Sequence, residues 1–428
     1  MIQAALTALK LPDLRNKLIF TALMLFVFRV VAHIPMPGVR LDILRQQVAG
    51  EGNQILGFLN LLSGGALENF SIVALGVYPY ITGSIIMQIM VPLIPQLKEL
   101  SKEGDAGRKK IAQYTRLATV PLAMLQGIGQ IQILRQSSPS PLPADFGIID
   151  TIVLLVLMTA GTLFLLWLGE LITERGIGNG VSIIILGGII AGAPTALGRS
   201  IFGGENLLGL AAFVAIGIVM IASIVFIQEA QRRIPVQYAK RIRGNRMYGG
   251  QSTHVPMKIN SAGMIPLIFA FSLMLLPGTV ATYLRTSDVG WLSALFSTLA
   301  DWFSPANFPY WLFTFLLVVA FTYFYTLVIF NQQNLPETLQ KNGGFIPGIR
   351  PGRPTSVYLL RVLNRLTLAG GLFLATVAVI PFIAGAATGV TAVALSSTGL
   401  LIVVGVVLDT MKQLEAQLLM RDYESFVR

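Results

Sequence analysis

Ten apolar stretches, each about 17 to 24 residues long, punctuate the chain, and that is the length an α-helix needs to cross a hydrocarbon core of roughly 30 Å. They begin near Leu18, Ile72, Leu117, Gly147, Val181, Leu207, Met264, Tyr310, Leu366 and Ala392. An open strand cannot satisfy its backbone in lipid, so every stretch is predicted to be helical. With 54% hydrophobic and only 12% charged residues over 428 positions, the chain reads as an all-α integral membrane protein.

Charge fixes the orientation. Of the 31 lysines and arginines, only Arg40, Arg45, Arg135, Arg199 and Arg285 fall on one side of the alternation and Arg29 lies within the first span; the other 25 share the side that carries both termini. Basic loops stay in the cytoplasm, so both termini are expected there. The opening "LRNKLIFTALMLFVFRVVAHIP" imitates a signal peptide, but Arg29 inside its apolar core argues for a retained first span. The Arg29 guanidinium is expected to snorkel toward the outer face.

Two long cytoplasmic loops concentrate the +11 net charge. In the first, Glu229 to Lys258, Ile234, Val236 and Tyr238 alternate and Gly244-Asn245 offers a two-residue hairpin turn, which predicts a basic finger. The second, Asn331 to Ser356, ends in "GGFIPGIRPGRP", a compact loop presenting Arg350 and Arg353. Topology alone needs only a few charges near the membrane, so loops this long point to a docked partner, a polyanion such as ribosomal RNA or an acidic patch on a soluble motor. Contact with anionic lipid heads is the simpler reading for any single charge.

The spans lack chemistry. Beyond Arg29 and Asp150 near one end, almost nothing ionisable lies within them, whereas ion-coupled transport and proton relays need such groups at mid-membrane. The chain has no cysteine, its two histidines are His33 and His254, and it carries neither HExxH nor a phosphate-binding loop. No cofactor, metal or catalytic residue is expected. "GIGNG", Gly176 to Gly180, misses the dinucleotide fingerprint because Val181 stands where the last glycine belongs, and it reads as a flexible helix start. What remains is a conduit that avoids strong binding sites yet seals when empty, through a collar of aliphatic side chains and a removable stopper. The stretch "LNLLSGGALENFSIVALG", Leu59 to Gly76, is too apolar for a loop in water yet broken at Ser63-Gly64-Gly65, and from its residues alone this half-helix reads as a re-entrant packing segment as readily as a stopper.

The segments "VFRVVAHIPMPG", "LLSGGALENFSIVALGVYPYITGSII", "KEGDAGRKKIAQYTR", "LGELITERGIGNGVSIII", "QYAKRIRGNRMYGGQSTHVPMKINSAGMIPLIFA" and "GFIPGIRPGRPT" resemble the SecY family, the large subunit of the bacterial protein-conducting channel. The likeness runs from about Lys10 to Tyr423. It implies ten transmembrane helices in two pseudo-symmetric inverted five-helix halves, residues 1–203 and 204–428, forming a clamshell pore. It implies a plug at about 59–70, including Leu61, Leu62, Ser63, Gly64, Gly65, Ala66 and Leu67, with Glu68 and Asn69 facing water in the outer funnel. A pore ring maps onto Val77, Ile81, Val181, Ile185, Ile268 and Ile402, all aliphatic as a dewetting gasket requires.

The same resemblance assigns Thr82, Gln88, Asn260 and Leu276 to a lateral gate, with Thr82 facing Leu276, and Lys240, Arg241, Arg246 and Arg350 to ribosome and SecA motor contacts. Interhelical hydrogen bonding is the plainer role for the gate's polar side chains. The implied function is translocation of unfolded secretory polypeptides and lateral release of signal sequences into lipid, at the bacterial inner membrane, with SecE-like and SecG-like subunits. A small-solute transporter and a membrane scaffold for ribosomes are the competing readings.

Overall fold

Segments apolar over most of their circumference can bury one side against neighbours and leave the other to lipid, and this chain does so as helices. A computed structural model describes residues 11–49, 60, 63–136, 139–143, 145–202, 207–238, 241–243, 246–248, 252–284, 290–304, 307–388 and 391–427. The chain opens with α1 (Pro12–Val31), α2 (Leu41–Ala49), α3 (Tyr78–Leu93), α4 (Pro95–Lys102), α5 (Asp105–Gln136), α6 (Ile148–Arg175), α7 (Gly180–Phe202) and α8 (Leu207–Glu229). A strand-rich loop precedes α9 (Ile265–Leu284), α10 (Gly290–Trp302), α11 (Phe308–Gln333) and α12 (Leu335–Lys341); α13 (Arg353–Thr388) and α14 (Thr391–Val427) complete the chain.

Each of the ten apolar stretches lies mainly on a helix, the second becoming helical only at Tyr78 rather than at Ile72. Among the described residues four helical runs, Asp105–Arg135, Ile148–Arg175, Phe308–Lys341 and Arg353–Ala384, are long and apolar enough to cross a membrane, and Tyr78–Leu93 with Pro95–Ser101, bent by 101°, gives a fifth candidate. The bend has a local cause: Pro95 disfavours helical backbone before it, and Ile94 is extended at φ −96°, ψ 118°. Helix α6 displays both faces. Ile149, Ile152, Val153, Val156 and Trp167 are exposed at helical spacing, while Leu154, Met158, Leu165 and Ile172 are buried. In water such a stripe would aggregate; lipid is its matching solvent.

The chain divides into two compact units, one of Met1–Val214, Phe271–Trp311 and Pro381–Arg428, the other of Ala215–Ala270 and Leu312–Ile380. In the first, α3 packs on α5, α5 on α6, α6 on α7, and α14 on α7, with α1 against α6 and α7. Its main apolar cluster joins Leu44 of α2, Leu67 and Phe70, Leu134 of α5 and Met158 of α6.

The second unit contains the folded part of both long loops. Strand β1 (Gln231–Tyr238) pairs antiparallel with β4 (Ser252–Lys258), while β2 (Arg241–Arg243) and β3 (Arg246–Tyr248) form a separate two-stranded sheet. Arg243 opposes Arg246 across this pair; Gly244 and Asn245, where a hairpin turn is expected, lie outside the described residues. The short β5 (Gly344–Phe345) from the second loop adds to the other edge of β1 through Gln237↔Phe345 and Tyr238↔Gly344. Ile234 and Val236 point from β1 into a cluster with Leu339, Ile346, Leu359 and Leu363.

Candidate functional site

The stopper region departs from the expected half-helix. Asn60 is helical, Leu61 and Leu62 lie outside the described residues, and from Ser63 through Gly76 the backbone runs in successive turns. The cause is left-handed backbone at Gly64 (φ 70°), Gly65 (φ 82°), Phe70 (φ 39°) and Gly76 (φ 60°), which no helix accommodates. Asn60 organises the turn: its carbonyl accepts from Gly65 N (2.8 Å) and Ser63 Oγ (3.1 Å), and its Oδ1 accepts from Glu68 N (2.9 Å). Ser63 Oγ in turn accepts from Leu67 N (3.2 Å). Ala66, Leu67 and Phe70 are wholly buried, so this element is packed into its unit. Glu68 and Asn69 are half-buried, and Asn69 Oδ1 accepts from Arg45 Nη2 at 2.9 Å.

Arg29 does not simply snorkel. Its Nη1 donates to the Gly64 carbonyl at 2.6 Å, so the charge inside the first span is matched by the turn. The "GIGNG" segment is likewise no loose helix start. Gly180 N donates to Thr173 Oγ1 (2.9 Å), Ile177 N to Thr21 Oγ1 (3.2 Å), and Ser182 N to Asn179 Oδ1 (3.2 Å), which caps α7. A Cβ at Gly180 would fall 1.8 Å from the Gly169 carbonyl oxygen, so α6 and α7 meet there backbone to backbone.

Five of the six ring candidates are buried, between 1% and 9% exposed: Val77, Ile81, Ile185, Ile268 and Ile402; Val181 is half-buried. That separates them from lipid-facing aliphatics such as Leu316, 54% exposed. Val77 and Ile81 share one turn at the start of α3, Val181 and Ile185 one face of α7, and α14, which carries Ile402, packs on α7. Ile268 belongs to the other unit.

The polar gate candidates bond locally. Gln88 Nε2 donates to Ser84 Oγ (3.3 Å) on its own helix, and Asn260 Nδ2 to the Gly263 carbonyl (2.9 Å) in the turn before α9, so among the described residues these amides bond within their own segments rather than between helices. Thr82 is buried; its Oγ1 donates to the Tyr78 carbonyl (3.1 Å) and accepts from Gln126 Nε2 (3.3 Å). Leu276 lies on α9, one turn beyond Ser272. Among the basic candidates, Arg241 sits in β2, Arg246 in β3 and an exposed Arg350 follows β5; Lys240 lies outside the described residues.

The SecY family model matches residues 71–411. The protein translocase subunits SecY of Streptomyces coelicolor and Mycobacterium bovis are 45% and 43% identical over all of both chains, and that of Halalkalibacterium halodurans is 46% identical over 98% of each. The chain belongs to the SecY family. Its fold is shared with a solved protein-conducting channel (TM-score 0.65, 17% identity, 94% of this chain and 92% of that one). It is shared also with Sec61 of a canine ribosome-channel complex (TM-score 0.63, 17% identity, the same coverage). A third structure, of a SecY protein whose plug domain stabilises the closed state and maintains a membrane seal, matches with TM-score 0.62 at 16% identity over 94% and 92% of the two chains.

Within this SecY-family chain, two contacts carry no signal in the motifs read from sequence. Tyr78 Oη donates to the Ser272 carbonyl at 2.7 Å, tying α3 to α9. Gln126 ties α5 to Thr82, and its Oε1, like Gln88 Oε1, Gln130 Oε1 and Asn260 Oδ1, is buried without a hydrogen-bond partner. A phenol or carboxamide inside an apolar span is the only hint the sequence offers, because a polar group there must find a partner or remain costly.

Proposed function

We propose that this chain is the pore-forming subunit of a protein-conducting channel, passing unfolded polypeptides across the membrane and releasing apolar segments sideways into lipid. Its end-to-end likeness to protein translocase subunits carries the reading. The closed clamshell would comprise ten spans in two inverted halves, 1–203 and 204–428. Val77, Ile81, Val181, Ile185, Ile268 and Ile402 would form the dewetting collar, and the turn around Ser63 to Phe70 would be the plug. Burial of the aliphatics supports a collar in the resting state, because residues lining a sealed pore touch one another rather than lipid.

The lateral gate would run along α3 and α9, with Thr82, Gln88, Asn260 and Leu276 on its two sides. A signal sequence would cross it because transfer of its apolar surface into lipid is favourable. The basic β2–β3 hairpin and the loop bearing Arg350 would dock a ribosome or a SecA-type motor, the ribosome being the partner seen with related channels. SecE-like and SecG-like helices would complete the complex in the bacterial inner membrane, with both termini cytoplasmic. Energy would come from the docked machine.

Deleting residues 60–70 from the complete complex in sealed vesicles should raise resting ion leak. Unchanged leak would place the seal elsewhere and remove the plug from the account.

A further inference from the structure

We infer that Arg29 is a positioning residue that seats the plug, latching the Gly64 carbonyl into a notch between α1 and α7; the inference rests on the channel reading above. Arg29 is the one charge in the outward half of α1, where an ionised group needs a partner, and its partner is the backbone of the turn, 2.6 Å away. Gly64 accepts this role because of its shape. At φ 70° it holds a left-handed backbone, and a Cβ on it would fall 2.5 Å from the Cα of Gly188 and 3.2 Å from Phe28 Cζ. A Cβ on Gly188 would meet Gly64 Cα at 2.6 Å, so two glycines are required where the turn touches α7.

The notch is tied to the collar on both sides. Gly188 lies one turn past Ile185, and Gly187 packs against Leu25, one turn before Arg29. Plug, collar helix and first span therefore meet at one point. The plug cannot leave without giving up the Arg29 hydrogen bond, and the collar helix cannot shift without moving Gly188 away from Gly64. A bond to a backbone carbonyl has no sequence requirement in the plug beyond the glycine, and water entering the funnel can replace it. That makes the latch firm at rest and releasable once the pore is wet.

Hydrogen bonds from charged donors are worth enough to shift the seated-to-displaced ratio by roughly 10- to 100-fold. The test measures ion leak through vesicles carrying the complete complex, with Arg29→Gln, Arg29→Lys and Gly188→Ala, each in the intact chain and after deletion of residues 60–70. Arg29→Gln should raise leak about tenfold or more toward the deletion level. Arg29→Lys, which keeps a charged donor, should raise it less. Gly188→Ala, which crowds Gly64 without touching Arg29, should also raise it. None should add leak once the plug is gone. An assembled Arg29→Gln complex with unchanged leak overturns the latch, as does an increase that persists in the deleted background, since that would mark a packing defect in α1. Should the deletion itself leave leak unaltered, latch and plug fall together, a signature distinct from loss of the latch alone.

Discussion

Replacing Tyr78 with phenylalanine removes one oxygen and leaves the ring. Tyr78 is buried, and its hydroxyl donates to the Ser272 carbonyl at 2.7 Å, a side-chain hydrogen bond that ties α3 to α9. A neutral hydrogen bond of this kind contributes about 0.5 to 1.5 kcal/mol net. If α3 and α9 separate when the gate opens, Tyr78→Phe favours the open state by roughly two- to twelvefold at 298 K. The assay is vesicle translocation of a preprotein whose signal sequence is weakened, where gate opening limits the yield. Yield of that substrate should rise by a similar factor, with little change for a preprotein bearing a strong signal, which already opens the gate. Equal yields for mutant and parent with the weak signal, in assembled complexes, would show that this bond is kept during opening and that the seam lies elsewhere.

Other perturbations have outcomes set by the same geometry. Gly180→Ala puts a methyl 1.8 Å from the Gly169 carbonyl oxygen, and should destabilise the α6–α7 contact by about 1 to 3 kcal/mol, read as a lower midpoint for thermal loss of the detergent-solubilised complex. Val236→Asp buries a carboxylate among Leu339, Ile346 and Leu359, and should expose the β1–β5 pairing to rapid amide exchange while the membrane helices stay protected. Charge reversal at Arg241, Arg246 and Arg350 together should weaken ribosome binding and flatten its salt dependence, measured by co-sedimentation over a salt series. Retained affinity and slope would remove these loops from the docking surface.

Legibility in the sequence tracked the range of each interaction. The helices at the ten apolar stretches and the antiparallel pairing of β2 with β3 depend on residues close in the chain, so hydropathy and local strand patterning reveal them. The pairing of Gln237 with Phe345 does not, because nothing local in "GGFIPG" distinguishes a strand that completes a distant sheet from an isolated loop. Arg29 stood out as a charge in a span, yet its partner is a backbone carbonyl 35 positions away, and a carbonyl has no letter in the sequence. The turns from Ser63 to Gly76 were masked for another reason. Apolar composition suggested a helix, while the left-handed Gly64, Gly65 and Gly76 decided the backbone.

The absence of cysteine from the chain makes the most direct test clean. A single cysteine is placed at Ile81 or Ile268, a secretory chain carrying one cysteine is stalled partway across, and the complex is oxidised. The account predicts disulfides from both positions and none from Leu316, exposed on α11. A stalled chain demonstrably bound to the complex, yet crosslinked at neither collar position, would contradict a polypeptide path through these residues.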